Sequence, residues 1–256
     1  MSGWDEYRSR IESIGGSRRG AALKREKHFL TTKLRHSLSY KAVELDGVCQ
    51  NVAVVNTDNL EEKFVYSLPG EDIKHGCLIF WQDNYWLVTE RDADDELYTR
   101  AKMVQCNYLL KWIDRSSVIH EQWCIVEDGT KYLVGTYEDR DFIVSRGDSR
   151  LGLTIAKNAA TTKLERGTRF LIDDPESDTP LAYELTKPFK LGKTYNGQGV
   201  FKFVMQEVNT TDDDNQDLMV ADYYKHFPRE DTGETSVSQT IDPENTFTED
   251  GKKVWL

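Results

Sequence analysis

Five carboxylates crowd into one short stretch: Glu90, Asp92, Asp94, Asp95 and Glu96. Oxygen donors at that density are what a divalent cation takes. Set between two strand-forming runs, the same residues are more simply a solvated acidic turn, and that is the reading adopted. A second acidic run, Asp212-Asp213-Asp214, begins like a calcium loop. It has Asp217 where such a loop needs glycine and Tyr223 where it needs glutamate, so it is rejected. The five histidines, at 28, 36, 75, 120 and 226, form neither HxH nor HExxH. No GxSxG elbow and no P-loop occur, and Gly197-Gln198-Gly199 lacks the third glycine of a dinucleotide loop. Cys49, Cys77, Cys106 and Cys124 make no CxxC and sit among apolar neighbours, as buried free thiols do. A Cys106 or Cys124 nucleophile beside His120 is the remaining chemical alternative. The expectation is a protein that is not an enzyme, with no catalytic residue, no cofactor and no metal.

The elements around these residues read as β. The stretch 90–112 is a joint: one β-unit ends in it and a second begins. Upstream, residues 40–45 alternate with period two and Asp46-Gly47 supplies a hairpin turn. Residues 48–55, 62–68, 75–81 and 85–89 continue the pattern, with Trp81 and Trp86 flanking a polar turn. Residues 39–103 are therefore expected to form a small β-barrel. Residues 104–225 carry further short strands, including 104–112, 118–126, 142–146, 151–155, 169–173, 181–186 and 199–208, with turns at 147–149 and 174–175 and a connection at 190–195. They are expected to form a β-sandwich-like domain. Before the barrel, Trp4, Tyr7, Ile11 and Ile14 fall on one helical face, capped by Ser2 and stopped at Gly15-Gly16. Residues 17–36 are a basic arm with a short helix over 21–29. Residues 1–38 thus form an N-terminal helix and arm, and 226–256 an extended acidic C-terminal arm with apolar pegs.

Charge supports this division. The chain carries −11 overall, yet residues 1–41 hold ten Lys/Arg against four Asp/Glu, and residues 209–256 hold four against twelve. Ends of opposite sign mark interaction tails. An acidic whole disfavours a general nucleic-acid binder, which must displace counterions from phosphates. The candidate contacts are Trp4, Tyr7 and Ile11 of the first helix, Arg18, Arg19, Lys24, Arg25 and Lys27 of the arm, and Phe247, Trp255 and Leu256 of the tail. No apolar run approaches the ~18 residues of a membrane span, and the charged start gives no secretory signal.

The run from Cys77 to Trp112 resembles virion proteins of tailed phages infecting Gram-positive bacteria. The matching positions are Gly76, Trp81, Trp86, Leu87, Thr89, Glu90, Asp92, Asp94, Asp95, Glu96, Tyr98, Cys106-Asn107-Tyr108, Leu110, Lys111 and Trp112. The resemblance implies a head–tail connector or neck protein, made in the host cytoplasm and resident in the virion. It would form a ring with copies of itself between portal or adaptor and tail-side proteins, and would line a channel through which DNA passes without specific binding. Two other readings stand beside it: another virion β-protein of tail or capsid, and a carbohydrate-binding or hydrolase β-sandwich using exposed Trp and Tyr.

Overall fold

The computed structural model describes residues 3–92, 96–128, 150–174, 177 and 179–229. Several expectations lie outside these residues: Asp94 and Asp95 of the acidic turn, the Ser2 cap, the strand at 142–146 with its turn at 147–149, and Pro175. So do nearly all of the C-terminal arm and its Phe247, Trp255 and Leu256.

The chain opens with two helices, α1 (Gly3–Ile14) and α2 (Arg18–Arg35). Gly15 and Gly16, at φ of 127° and 70°, end α1, with both amides bonded back to Ile11 O. Such left-handed positions suit glycine, which has no Cβ to clash. Ser17 then caps α2, its hydroxyl accepting from Gly20 N at 3.0 Å. α2 is twice the length expected from sequence. The N-cap starts it earlier, and Leu30 and Leu34 carry it on past residue 29, lying beside Ala53, Val55 and Tyr66 of the barrel.

Six strands close the barrel: β1 (Tyr40–Leu45), β2 (Val48–Asn56), β3 (Glu62–Ser67), β4 (Leu78–Trp81), β5 (Asn84–Arg91) and β6 (Arg100–Gln105). Their order around it is β1-β2-β3-β6-β5-β4. Asp46-Gly47 and Gln82-Asp83 make two-residue turns with positive φ at both positions, the geometry that matches strand twist. Val43, Val52, Val65, Ile73, Ile79, Val88 and Met103 fill the interior. Val104 belongs to this barrel, opposite Glu62 and Leu87, and does not open the next unit. The strand change falls at Cys106-Asn107.

The second unit is one six-stranded sheet: β7 (Tyr108–Ile113), β8 (Ile119–Asp128), β9 (Arg150–Ala156), β10 (Arg169–Ile172), β11 (Leu181–Tyr195) and β12 (Gln198–Val208). In order β10-β11-β12-β9-β8-β7 it curls until its edges approach, and Tyr108 OH donates to Leu171 O at 3.1 Å. Its two halves face each other as sandwich layers would, around Leu110, Trp112, Leu153, Phe170, Leu185, Phe201 and Phe203. The expected connection at 190–195 is instead the outer half of β11. A third two-residue turn, Asn196-Gly197, pairs it with β12, and register shifts absorb the irregularity around Phe189 to Lys193. Short helices α3 (Ala159–Thr162) and α4 (Tyr223–His226) complete the described chain.

Candidate interaction surfaces

The residues of the CNY run act on architecture. Cys106 enters a small core shared by both units, with Leu87, Ile125, Ala156 and Val200. Asn107 stands where the ladder is interrupted and replaces its bonds: its amide donates to Val126 O at 2.7 Å and its oxygen accepts from Val126 N at 2.8 Å. Tyr108 carries the hydroxyl that nearly closes the sheet. Unpaired backbone groups there would each cost roughly 1–3 kcal/mol, so this tripeptide is a splice between two β-units.

A second bond set tightens the same joint. A bulge between Val88 and Glu90 leaves the Thr89 carbonyl out of the ladder. His75 Nε2 donates to it at 2.9 Å, while the imidazole stacks on Tyr195 at the tip of the β11–β12 hairpin. Lys193 of that hairpin pairs with Glu90 at 2.6 Å, which lowers the Glu90 pKa. Burial lowers the pKa of His75 below its ordinary 6.5, with Lys193 and Arg91 adding to the effect and the Thr89 bond and Glu90 opposing it. A base harder to protonate when folded binds fewer protons than the unfolded chain. Its stability contribution therefore falls as pH drops below about 6.5 and levels off below the folded pKa. Replacing His75 by phenylalanine is expected to remove that part of the pH dependence, read as the difference between the two urea-melt series from pH 7.5 to 5.

Glu90 is held by Lys193, and Glu96 by Arg19 at 2.8 Å. Among the described residues, no cluster of three or more His, Cys, Asp or Glu is placed to hold a metal ion. Three of the four thiols are buried. Burial pushes Cys77 and Cys106 up to about 12 and raises Cys124 as well, whereas Cys49 is exposed. Since the thiolate is the nucleophile, maleimide at pH 7 is expected to add once to the native protein, at Cys49, and four times after denaturation. Intact-mass measurement reads both numbers.

Sequence reasoning missed two polar clusters at the far end of the sheet. In the first, Asp114 accepts from Val118 N, from His120 Nε2 at 3.2 Å, from Ser116 N and from Lys163. These donors hold its carboxyl well below the usual range. In the second, Arg169 donates to both oxygens of Asp214, to Asp222, to Thr211 and to the Asn209 carbonyl. Asp214 is wholly buried and Arg169 is 12% exposed. The clusters border a cleft of about 550 Å³, which also holds Trp112, Arg166 and His226. His226 Nδ1 meets Ser117 Oγ at 2.9 Å. The carboxylates around this cleft already have cation or N–H partners, an arrangement that fastens loops. Arg169 lies 45 residues from Asp214 and 53 from Asp222, and no local pattern announces such a meeting.

Of the predicted contact residues, those of α1 and α2 lie among the described residues and are exposed. Neither α1 nor α2 buries a residue. Trp4, Tyr7 and Ile14 stand 71%, 55% and 59% exposed, in a stripe with Ile11. Arg18, Arg19, Lys24, Arg25 and Lys27 are exposed on α2, where Arg19 reaches Glu96 and Lys24 the Ser13 carbonyl. An isolated helix as short as α1 is marginal in water, and among the described residues none covers its apolar stripe. No helix among the described residues is long and apolar enough to cross a membrane.

The unit formed by α2 and the barrel has a counterpart among protein families. Residues 17–105 match the YomX N-terminal domain. The YomX-type domain begins at the Ser17 cap of α2 and ends at Gln105, the last residue of β6. It thus takes in the whole barrel and excludes both α1 and the second sheet. The match covers well under half of the chain and is to a phage-type domain, which supports a phage protein at that level. No curated protein and no solved structure shows significant similarity to the chain.

Proposed function

We propose that the protein is a structural, non-enzymatic component of a tailed-phage particle: a ring-forming head–tail connector or neck subunit in the virion. The carrying observation is a phage-type barrel preceded by a helix, α1, whose apolar stripe stays exposed. Virion rings join small β-domains through arms that reach onto neighbours. The net charge of −11 suits a wall past which DNA moves without being held. The fastened polar clusters fit a load-bearing part better than a reactive one. Portal or adaptor and tail-side proteins are the neighbours this position implies.

Cryo-microscopy of the particle tests the reading. The barrel and the curled sheet are expected as a symmetric ring below the portal. Density for the chain on the capsid shell or along the tail would replace the neck assignment with another virion role, and its absence from the particle would end the virion reading. Native mass spectrometry of the purified chain gives the copy number.

A further inference from the structure

The α1 stripe has a complementary surface elsewhere on the same chain. At about 100° per residue, Trp4, Tyr7, Ile11 and Ile14 form a band bordered by Arg8 on one side and Arg10 on the other. An apolar helix face framed by arginines fits a cleft with an aromatic floor and carboxylates at its polar edge.

Such a cleft lies where the barrel meets the sheet. It has a volume of about 520 Å³ and a floor that includes Leu78, Tyr85, Leu109 and Trp123. Tyr85 stacks on Trp123 at 4.9 Å and packs on Phe80 at 4.9 Å, so an aromatic row crosses the joint. Asp46 and Glu121 stand at the cleft edge, and Glu44 lies opposite Phe80 in register. The cations on this side are Lys157 and Lys111, the latter opposite Glu121.

Topology decides which molecule can fill it. α2 rests on the β2–β3 wall of the barrel, and the cleft opens beside β4 and β5. In the closed order β1-β2-β3-β6-β5-β4, those walls are opposite each other. Each copy therefore carries α2, to which α1 is joined, on one wall and the cleft on the other. Charge favours the same partner. Residues 3–35 hold nine Lys/Arg against four Asp/Glu, net +5, in a chain whose total is −11.

We infer that α1 of one copy seats its apolar stripe in the joint cleft of a second copy, with Arg8 and Arg10 facing Asp46 and Glu121. The Gly15-Gly16 pair, both in left-handed backbone, makes the turn that joins α1 to α2. Unlike patches meeting head to tail make a heterologous contact, which closes into a ring when the rotation permits. The inference deepens the ring reading above and rests on it.

Sedimentation and native mass spectrometry of the full chain test it. Wild type is expected to form concentration-dependent oligomers that weaken with salt. Trp4→Ser with Ile11→Ser, and separately Arg8→Glu with Arg10→Glu, should each weaken association by roughly 30-fold or more. Neither pair removes a buried side chain, and an unchanged melt confirms the fold. Glu121→Arg should weaken assembly alone, and mixing it with the Arg8→Glu/Arg10→Glu chain should restore assembly in part, because one contact in a mixed ring is then wild type and in the other the charge-reversed α1 meets Arg in place of Glu121 while still facing Asp46. A wild type that stays monomeric, variants that assemble normally, or a mixture that fails to recover would overturn the inference. So would α1 variants that lose only binding to phosphatidylserine vesicles or duplex DNA. A neck ring seen in the particle with α1 outside the joint cleft would refute this contact and leave the function standing. Assembly through α1 by a chain absent from the particle would do the reverse.

Discussion

Arg169→Met is expected to destabilise the protein by about 3–5 kcal/mol, lowering Tm by roughly 10 °C. The cost comes mainly from what remains. Asp214 is wholly buried, and the substitution strands its carboxylate beside Thr211 N and Asp222 N with no cation. Asp222 loses its bond to Arg169 and keeps Lys225. The Asn209 carbonyl loses a donor too. Arg169→Met with Asp214→Leu should recover part of the loss, since no charge is then stranded, while the Thr211 and Asp222 amides lose their acceptor. Acid acts on the same clasp. Burial raises the Asp214 pKa, but Arg169 and the two N–H donors lower it more, so it lies below its ordinary 3.8. Its stabilisation is therefore present above the unfolded value and lost as pH falls through the folded one. Urea denaturation of the three proteins at pH 7 and at about pH 2.5, below the unfolded value, checks both effects. A single variant within about 1 kcal/mol of wild type would mean the pair behaves like an exposed one.

Gly76→Ala should cost about 2–5 kcal/mol, the sum of a left-handed backbone for a non-glycine residue and an overpacked contact. Gly76 sits at φ 81°, and a Cβ there would run into the backbone carbonyl of Gly199. That carbonyl also accepts from Lys157 N at 2.9 Å, so the collision falls on the joint itself. The β11–β12 hairpin would be pushed off the barrel, weakening the His75–Tyr195 stack and the Lys193–Glu90 pair. Hydrogen exchange at the Gly76 and Lys157 amides should accelerate with the loss in denaturation midpoint. Gly70→Ala is the control. Gly70 has φ 95° with open space around it, so only the backbone penalty of about 1–2 kcal/mol applies. Equal losses at the two positions would show that the joint tolerates the added methyl.

The two clusters differ in how far sequence could reach them. Asp212-Asp213-Asp214 drew attention as a calcium loop, and the one member that matters, Asp214, answers to an arginine on another strand. Asp114, His120 and Lys163 likewise meet only because β7 turns back on β8 and the chain after α3 runs past that turn. Pairings of this kind depend on strand order, and strand order is not encoded in any local period. The cleft at Tyr85 and Trp123 was illegible for the same reason: each residue reads as an ordinary strand aromatic until two units are laid side by side.

By itself the sequence determined the local terms. Asp46-Gly47 and Asn196-Gly197 demanded positive φ and became two-residue hairpin turns. Period-two alternation made strands of most of the chain, and the apolar spacing of α1 made a helix with one apolar face. Gly15-Gly16 ended that helix because only glycine enters that conformation without strain. The opposite charges of the two ends were also fixed by sequence. Tertiary structure decided the rest. It closed six strands into a barrel and curled six more without closing them. It used Cys106-Asn107-Tyr108 as a splice between the two, and it placed α2 and the Tyr85–Trp123 cleft on opposite walls. Those outcomes depend on which long-range pairs bury their polar groups together, a property of the packed whole that no window of sequence contains.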